Sequence, residues 1–347
     1  MHGTLAGLQV LDLSRLLPGP FLTQLLAELG AEVVKLEAPG VGDEARLMPY
    51  AFEALNGGKR SIVVDLKTEA GREVALRLAE RSDVLVESFR PGVMDRLGLD
   101  DATLARVNPR LVRLSLVGYP PGEHRDEVGH DLNYQALAGI LTLGGAEPRP
   151  PPTQVADMGG ALYGASAVLA ALWQRERSGK GARVEVSLME SAMALNTLPL
   201  ARARAGEDAR GAWELTGSIP CYRVYRCADG RHVAFAALEA RFFERFAEAT
   251  GVNAMLQYDP EGHAVLERLF ASRPAKEWVS TLRKAGVPIT HVLAADEVRA
   301  EVGPATPLVR AAPRPAPERG EHTDLVLRAA GYSDADVARL RASGAVA

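Results

Sequence analysis

The sequence predicts an α/β protein built on a mostly parallel sheet, with a smaller α+β domain in the second half of the chain. Two observations support this class. Strand-like and helix-like segments alternate through the N-terminal half, as in βαβ units. Further along, two strand patterns flank Asp229-Gly230, a dipeptide typical of a tight hairpin. The length of 347 residues is enough for about two domains of roughly 150 residues each.

Apolar runs predict the strands of the larger domain, and amphipathic patterns predict the helices between them. The strands are expected at 8–13, 31–36, 61–66, 84–86 and 111–117. Helices are expected at 21–29, where Gly30 follows as a C-terminal stop, and at 69–80. A long helix at 158–177 is followed by a strand at 184–188 that leads into another helix.

The pattern changes after residue 200, where a polar, glycine-containing segment predicts a linker. We therefore expect an N-terminal part of the large domain at 1–200, a linker at 201–214 and a small domain at 215–305. Helical patterns at 242–250, 264–270 and 275–284 follow the hairpin. A proline-rich stretch at 311–317 predicts an extended connection. It belongs to a return segment, 306–347, that ends in two short helices and joins the large domain.

Composition argues against several classes of protein. A net charge of -4 does not suit a general nucleic-acid binder. The two cysteines match neither a zinc pattern nor a disulfide scaffold, so no metal site is predicted. The start of the chain lacks a cationic region leading into an apolar core, and no apolar run reads as long enough to span a bilayer. The expectation is a soluble cytoplasmic protein without membrane contact.

Two proton-transfer side chains stand near predicted helix starts. His130 lies in Gly129-His130-Asp131-Leu132-Asn133-Tyr134, and a histidine titrates nearest neutrality, although a lone histidine is often a surface residue. Asp157 precedes Met158-Gly159-Gly160. It could act only as a helix N-cap, or as an acid/base group beside helix N–H groups that stabilise an enolate or oxyanion.

Three further charged residues have two interpretations each. Glu239 follows the predicted strand 233–238 and is either an acid at a helix N-terminus or a carboxylate that orients a histidine. Arg90 and Arg96 suit phosphate oxygens, or they belong to a solvated helix face. The chain has no Walker loop, no G-x-G-x-x-G after the first strand and no G-x-S-x-G, so NAD-binding and serine-hydrolase functions gain no support.

Taken together, these segments resemble the class III CoA-transferase family, also called the CaiB/BaiF family, which includes the α-methylacyl-CoA racemases. The resemblance covers nearly the whole chain, and its motifs are specific as an ordered set although each is weak alone. They are Leu11-Asp12-Leu13-Ser14, Pro18-Gly19-Pro20, Leu29-Gly30-Ala31-Glu32-Val33-Val34-Lys35-Leu36-Glu37, Lys59-Arg60-Ser61, Asp65-Leu66-Lys67, Phe89-Arg90-Pro91-Gly92 and Ser178-Gly179-Lys180-Gly181.

The resemblance implies a Rossmann-like large domain and an interlocked homodimer in which the partner contributes the small domain. It also implies acyl-CoA thioester substrates, with CoA as part of the substrate and no separate cofactor. The positions that match the family's CoA contacts are Val64, Asp65, Leu66, Lys67, Ser88, Phe89, Arg90, Arg96, Gly129, Asp131 and Tyr134.

Within the family, the spelling Gly-His-Asp-Leu-Asn-Tyr favours the racemase branch. This implies racemisation or epimerisation of 2-methylacyl-CoA by 1,1-proton transfer through an enolate, with His130, Asp157 and Glu239 as catalytic residues. The alternative is a CoA transferase in which Asp157 is a nucleophile that forms an aspartyl-CoA thioester. A non-catalytic CoA-binding homologue and an enzyme for another enolate reaction are further alternatives.

The chain departs from the family pattern at a few positions. Ala38 stands where members often carry an arginine, so one phosphate contact is missing. The loop Gly118-Tyr119-Pro120-Pro121-Gly122 is shorter than the usual glycine-rich loop, and Thr153 replaces an asparagine found in racemases. These differences bear on the substrate and its affinity more than on the fold.

Overall fold

The structure, a computed structural model, describes residues 3–143, 147–208, 213–302 and 314–347. Parts of the predicted linker and of the predicted proline-rich connection lie outside these residues. The chain divides into two units. The first contains Met1–Ile140, Pro150–Thr197 and Pro304–Ala347, and the second contains Leu141–Arg149 and Leu198–Gly303.

The helices and strands follow one another in βα order through the N-terminal half. The strands are β1 Gln9–Asp12, β2 Glu32–Glu37, β3 Arg60–Val63, β4 Val84–Glu87, β5 Val112–Val117, β6 Ala182–Ser187, β7 Tyr222–Arg226, β8 His232–Ala236 and β9 Ile289–His291. The helices are α1 Pro18–Glu28, α2 Pro49–Asn56, α3 Glu69–Glu80, α4 Val93–Arg96, α5 Asp101–Val107, α6 Asp131–Leu137, α7 Val155–Ser178, α8 Leu188–Leu195, α9 Thr197–Arg204, α10 Ala240–Thr250, α11 Glu261–Phe270, α12 Ala275–Lys284, α13 Val298–Val302, α14 Thr323–Ala329 and α15 Asp334–Ala342. Short 3₁₀ turns lie at Glu44–Leu47, Ile140–Thr142, Glu214–Thr216 and Ala254–Gln257.

The first unit is built on a six-stranded sheet in the order β3-β2-β1-β4-β5-β6. Every pairing in it is parallel, for example Val10 beside Val33 and Val10 beside Val84. The order reverses between β1 and β4, the arrangement that opens a crevice at the carboxyl ends of those two strands. The parallel sheet and the small antiparallel sheet of the second unit confirm the predicted mixed α/β class.

Apolar side chains alternate between the two faces of this sheet because successive residues of a strand point in opposite directions. Val10, Val84 and Val86 belong to one buried cluster, with residues of α1, α7 and α8. Leu11 and Leu85 belong to another cluster on the opposite face, with residues of α3, α14 and α15. Both faces are therefore covered, which explains why the segment 84–86 of β4 is apolar at every position.

Two of the predicted helices have the bounds that the sequence indicated, 69–80 and 275–284. Helix α3 begins there because the Thr68 hydroxyl accepts a hydrogen bond from the Gly71 N–H at 3.0 Å, an N-terminal cap. The predicted strand at 61–66 is too long: β3 ends at Val63, and the Thr68 N–H bonds to the Asp65 carbonyl in a turn.

The C-terminal segment covers the free edge of β3. The His322 N–H donates to the Ser61 carbonyl at 2.9 Å, and the Asp65 N–H donates to the Ala345 carbonyl at 2.9 Å. Val64 forms an isolated antiparallel bridge with Val346. Because these bonds satisfy backbone groups that an edge strand otherwise exposes, residues from the end of the chain complete the large sheet.

The second unit contains the antiparallel sheet β7-β8-β9. The hairpin predicted at Asp229-Gly230 is confirmed: Gly230 has φ of 77°, and the Cys227 N–H bonds to the Arg231 carbonyl at 2.8 Å. Aromatic rings fill its core, with Phe235 and Phe246 at a centroid distance of 4.7 Å. The linker predicted from residue 201 was wrong at its start, since α9 runs to Arg204 through alanine, leucine and arginine, which favour helices.

Helix α7 is long and apolar enough, by length and composition alone, to cross a membrane, contrary to the expectation from the sequence. One side of this helix is buried in the apolar cluster beside the sheet, through residues such as Ala161 and Val168. The same test is passed by core helices of soluble proteins, so the finding is weak support for a membrane span.

Candidate active site

Two cavities lie at the crevice where the strand order reverses. The first, here called the Lys67 cavity, has a volume of about 490 Å³, and the second, the His130 cavity, has a volume of about 260 Å³. Both are lined by residues that follow β1 and β4, and they share Arg15, Phe89 and Arg90. The position agrees with the general rule that ligands of open parallel sheets bind at this point.

Most residues that match the family's CoA contacts line one of these cavities. Val64 to Lys67 line the Lys67 cavity. Ser88, Gly129 and Tyr134 line the His130 cavity. Arg96, on the exposed side of α4, and Asp131 line neither cavity.

The corner after β4, which lines both cavities, is held by a buried carboxylate. Glu87 is the last residue of that strand and accepts a hydrogen bond from the Phe89 N–H at 2.7 Å. Burial raises the pKa of Glu87 to about 7, against the hydrogen bonds from Ser115 and Phe89. This short-range bond folds the chain back between Glu87 and Phe89, and so sets the position of Arg90.

His130 stands immediately before α6 and is exposed at the cavity. Its N–H donates to Asn133 Oδ1 at 3.0 Å, and its carbonyl accepts from the Asn133 N–H at 2.8 Å. These reciprocal bonds fix the backbone of His130 at the helix start, as in a capping box. The imidazole is left to face the cavity.

Gly129 is required by the crowding on the other side of His130. A Cβ atom on Gly129 would lie 2.6 Å from Tyr119 Oη and 2.8 Å from Tyr134 Cε1, both too close. The two tyrosine rings meet edge to face at 5.0 Å, and the Tyr134 hydroxyl donates to the Gly129 carbonyl at 2.6 Å. Burial raises the pKa of Tyr134 to about 12, so this hydroxyl keeps its proton.

Asp157 lies in the first turn of α7, as the third helical residue. The interpretation as a simple N-cap is wrong, because Gln154 occupies the cap position and makes no side-chain cap bond. The carboxylate that serves this helix end is Asp131, whose Oδ1 accepts from the Ala156 N–H at 2.9 Å and the Asp157 N–H at 3.1 Å. Asp131 thereby joins α6 to the start of α7.

The N–H groups expected to hold an enolate are already in use. The Met158 N–H donates to the Gln154 carbonyl at 2.9 Å, and Gly159 and Gly160 lie inside the helix. A Cβ atom on Gly159 or Gly160 would lie 2.8 Å or 2.3 Å from the side chains of Leu195 and Leu188. These glycines therefore admit the leucines of α8, and the expected oxyanion site at 158–160 is wrong.

The environment of Asp157 changes its acidity. Burial, and secondarily the negative charge of Asp131, raise the pKa of Asp157 from 3.8 to about 7. A carboxyl group that titrates near neutrality can both give and accept a proton in general acid–base catalysis. His130 and Asp157 line the same cavity, so two proton-transfer groups face one space.

A buried ionic network lies beneath the crevice. The Lys59 ammonium contacts Asp12 Oδ2 at 3.2 Å, and both side chains have no exposed surface. Lys35 and Asp43 form a second buried pair at 2.7 Å. Burial opposes ionisation of Asp12, but the charges of Lys35 and Lys59 outweigh it and lower the pKa of Asp12 to about 2. Paired and hydrogen-bonded charges of this kind hold the loop that follows β1.

Sequence reasoning missed that loop as part of the site. Arg15 and Leu16 line the His130 cavity, and Arg15 also lines the Lys67 cavity. Neither position has a periodicity or motif that sets it apart, although the flanking segments 11–14 and 18–20 were recognised. Among the described residues, no group of three or more His, Cys, Asp and Glu side chains is placed to hold a metal ion.

Glu239, the third predicted catalytic residue, lies in the second unit. It precedes α10, where its carbonyl accepts a hydrogen bond from the Phe242 N–H at 2.9 Å, and its side chain is exposed. It does not belong to the residues that line the His130 cavity. Its pairing with His130 stays a prediction.

Comparison with known proteins places this geometry in a family. The model of CoA-transferase family III matches residues 5–329. The protein named alpha-methylacyl-CoA racemase of Homo sapiens is 35% identical over 97% of this chain and 96% of its own length. Acetyl-CoA:oxalate CoA-transferase of Acetobacter aceti is 33% identical over 84% of this chain and 81% of its own.

Solved structures agree. A crystal structure of a CAIB/BAIF family protein from Brucella suis superposes with a TM-score of 0.82 at 26% identity, and the match covers 95% of this chain and 100% of that one. Rv3272 from M. tuberculosis gives a TM-score of 0.79 at 29% identity over 93% of this chain and 99% of that one. The chain belongs to CoA-transferase family III.

Proposed function

We propose that the protein racemises or epimerises 2-methylacyl-CoA thioesters by 1,1-proton transfer at the α-carbon. The observation that carries the proposal is the pair of proton-transfer groups, His130 and Asp157, on one cavity, with the pKa of Asp157 raised to about 7. The full-length similarity to the human racemase supports the same branch.

In the proposed cycle, one of the two residues removes the α-proton as a general base. The electron pair of the C–H bond moves into the thioester, which becomes an enolate. The protonated partner residue then returns a proton to the opposite face of the α-carbon. The cycle needs no oxidant or reductant, because only protons are removed and returned. CoA enters and leaves as part of the substrate, so the cycle uses no separate cofactor.

The enolate oxygen needs hydrogen-bond donors, but the N–H groups of Ala156, Asp157 and Met158 in the first turn of α7 already donate to other protein oxygens. At the start of α6, the His130 carbonyl accepts hydrogen bonds from the Asn133 and Tyr134 N–H groups. The N–H groups of Asp131 and Leu132 have no protein partner among the described residues. Neither residue lines the His130 cavity, so the enolate oxygen is not assigned to these donors.

The proposal includes a homodimer in which Glu239 of the partner subunit orients and charges His130. Support comes from the outer side of α7, which exposes Leu162, Tyr163 and Trp173 to 52%, 56% and 69%. Large apolar side chains grouped on one helix side are typical of an interface between subunits. A second copy would cover them and supply the missing carboxylate.

The test is exchange of the α-proton. The protein is incubated with a single enantiomer of a 2-methylacyl-CoA in deuterated water without an acceptor acid, and C2 is followed by mass spectrometry and NMR. We expect deuterium at C2 with loss of stereochemistry, and no exchange in either His130→Ala or Asp157→Ala. Full exchange in either variant would contradict the mechanism.

The second candidate function is CoA transfer between carboxylic acids through an aspartyl-CoA thioester on Asp157. The similarity to an acetyl-CoA:oxalate CoA-transferase at 33% identity favours it. In this case His130→Ala retains activity, transfer requires an acceptor acid, and a covalent CoA adduct on Asp157 can be trapped. The raised pKa weighs against it, because a nucleophilic carboxylate must be ionised.

A further inference from the structure

The loop after β1 contains an unusual backbone conformation. Leu16 has φ of 64°, and among the described residues it is the single non-glycine with positive φ. A left-handed conformation brings the Cβ atom of an ordinary residue too close to its own backbone. Strain of this kind persists where surrounding contacts impose it, and it marks functional loops.

Hydrogen bonds impose that conformation on both sides of the loop. The Leu16 N–H donates to Asp43 Oδ1 at 2.9 Å, and the Arg15 N–H donates to Ser88 Oγ at 3.2 Å. The carbonyl of Ser14 accepts from the Lys35 ammonium at 2.9 Å. Because Lys35 and Asp43 are themselves buried, the loop is fixed to the interior at Ser14 and Leu16, while the bond from Arg15 to Ser88 lies at the surface.

The consequence of the turn is the placement of one cationic side chain. Arg15 lines both the Lys67 cavity and the His130 cavity. Its guanidinium lies over the Phe89 ring at 5.8 Å. It pairs with Glu44 at 2.8 Å, but both side chains are about half exposed, so this ion pair is weak and can be exchanged for another anion.

We propose that Arg15 binds the pyrophosphate of the CoA moiety, at the passage between the Lys67 cavity and the His130 cavity. The proposal rests on the proposed function, which puts the thioester beside His130 and Asp157. CoA carries its nucleotide at the opposite end from the thioester. With the thioester in the His130 cavity and the nucleotide in the Lys67 cavity, the pyrophosphate and the pantetheine lie between the two. A guanidinium matches phosphate oxygens in charge and geometry.

Arg90 joins Arg15 at this passage. It lines the same two cavities, and its guanidinium makes no ion pair or hydrogen bond with a described residue. Two arginines thus reach the passage from the two strands at which the sheet order reverses, one after β1 and one after β4. Arg90 matches a CoA contact of the family, whereas Arg15 is the new assignment.

The experiment measures equilibrium binding by calorimetry with three probes: CoA, dephospho-CoA and a pantetheine thioester without the nucleotide. Wild type is compared with Arg15→Gln and with Arg106→Gln, which makes the same charge change at an exposed residue of α5 that lines neither cavity. We expect Arg15→Gln to weaken CoA and dephospho-CoA equally, by roughly 10- to 100-fold, and to leave the pantetheine probe unchanged.

The outcomes separate the assignment from the function on which it rests. A loss with CoA but none with dephospho-CoA would move Arg15 to the 3′-phosphate and overturn the assignment, as would equal binding by wild type and Arg15→Gln. If wild type binds none of the probes, the proposed function fails and the assignment fails with it. Thermal unfolding of Arg15→Gln checks that this variant keeps its fold. Glu44→Gln removes the carboxylate that competes for Arg15, so we expect this second variant to bind CoA at least as tightly as wild type.

Discussion

Replacing Asp157 by asparagine tests whether the site is built at the expense of stability. Burial first, and the charge of Asp131 second, raise the pKa of Asp157 from 3.8 to about 7. One pKa unit corresponds to about 1.36 kcal/mol, so keeping this carboxylate ionised destabilises the folded protein by about 4 kcal/mol. Asp157→Asn removes the charge and keeps the shape.

The sign of the effect depends on pH. Below about pH 4 the carboxyl is protonated in both the folded and the unfolded chain, so the wild type carries no penalty. Between about pH 4 and 7 the unfolded chain ionises first, and the wild type loses stability relative to Asp157→Asn. Above about pH 7 the difference is complete. We expect the variant to be more stable by about 2–4 kcal/mol at pH 8.5 and equal to wild type at pH 4.

The assay is guanidinium unfolding followed by circular dichroism at the two pH values. Asp296→Asn, at an exposed residue, reports the effect of the same substitution outside the site. A variant that is less stable than wild type at pH 8.5, or that differs equally at both pH values, would refute the reasoning. The same variant should lose α-proton exchange by at least about 100-fold, since general acid–base catalysis contributes that much or more.

Three further predictions concern the surroundings of the site. Gly129→Ala places a Cβ atom 2.6 Å from the Tyr119 hydroxyl, so we expect the stability measured by thermal unfolding to fall by about 1–3 kcal/mol and α-proton exchange to slow. A variant with the stability and exchange rate of the wild type would contradict the crowding. Asp131→Ala leaves two N–H groups of α7 without their acceptor, so we expect the free energy of unfolding to fall by about 1–3 kcal/mol. Because the negative charge of Asp131 is also removed, NMR titration should show a lower pKa for Asp157 than in the wild type. An unchanged pKa would argue against the influence of the Asp131 charge. Trp173→Glu introduces a charge on the exposed apolar side of α7 and should shift the protein to monomers in light scattering, while an unchanged mass would remove this helix from the proposed interface.

The sheet was predictable from sequence because its strands are buried on both faces. The run 84–86 is apolar throughout, and the run 111–117 is apolar except for Arg113 and Ser115. Strand β9 was missed because it is three residues long and is stabilised only by pairing with β8. Such an element depends on tertiary contacts that no local pattern records.

The candidate site was predictable in part, and the division has a physical reason. His130 and Asp157 were found as chemical types near helix starts, and they line one cavity. The acceptor for the first N–H groups of α7 was not predicted, because the carboxylate comes from Asp131, 25 and 26 residues before its donors. Arg15 was missed for a similar reason, since its position depends on buried residues of other strands and loops.

The C-terminal cover of β3 has a consequence for how the protein is made. The bonds from 322, 345 and 346 to the sheet edge form only after these residues have left the ribosome, when the rest of the sheet has already been synthesised. Until then the nascent chain presents an open strand edge, which is a template for association with other chains. Chaperone binding during translation, and aggregation of chains lacking residues 320–347, are the expected signs of this late closure.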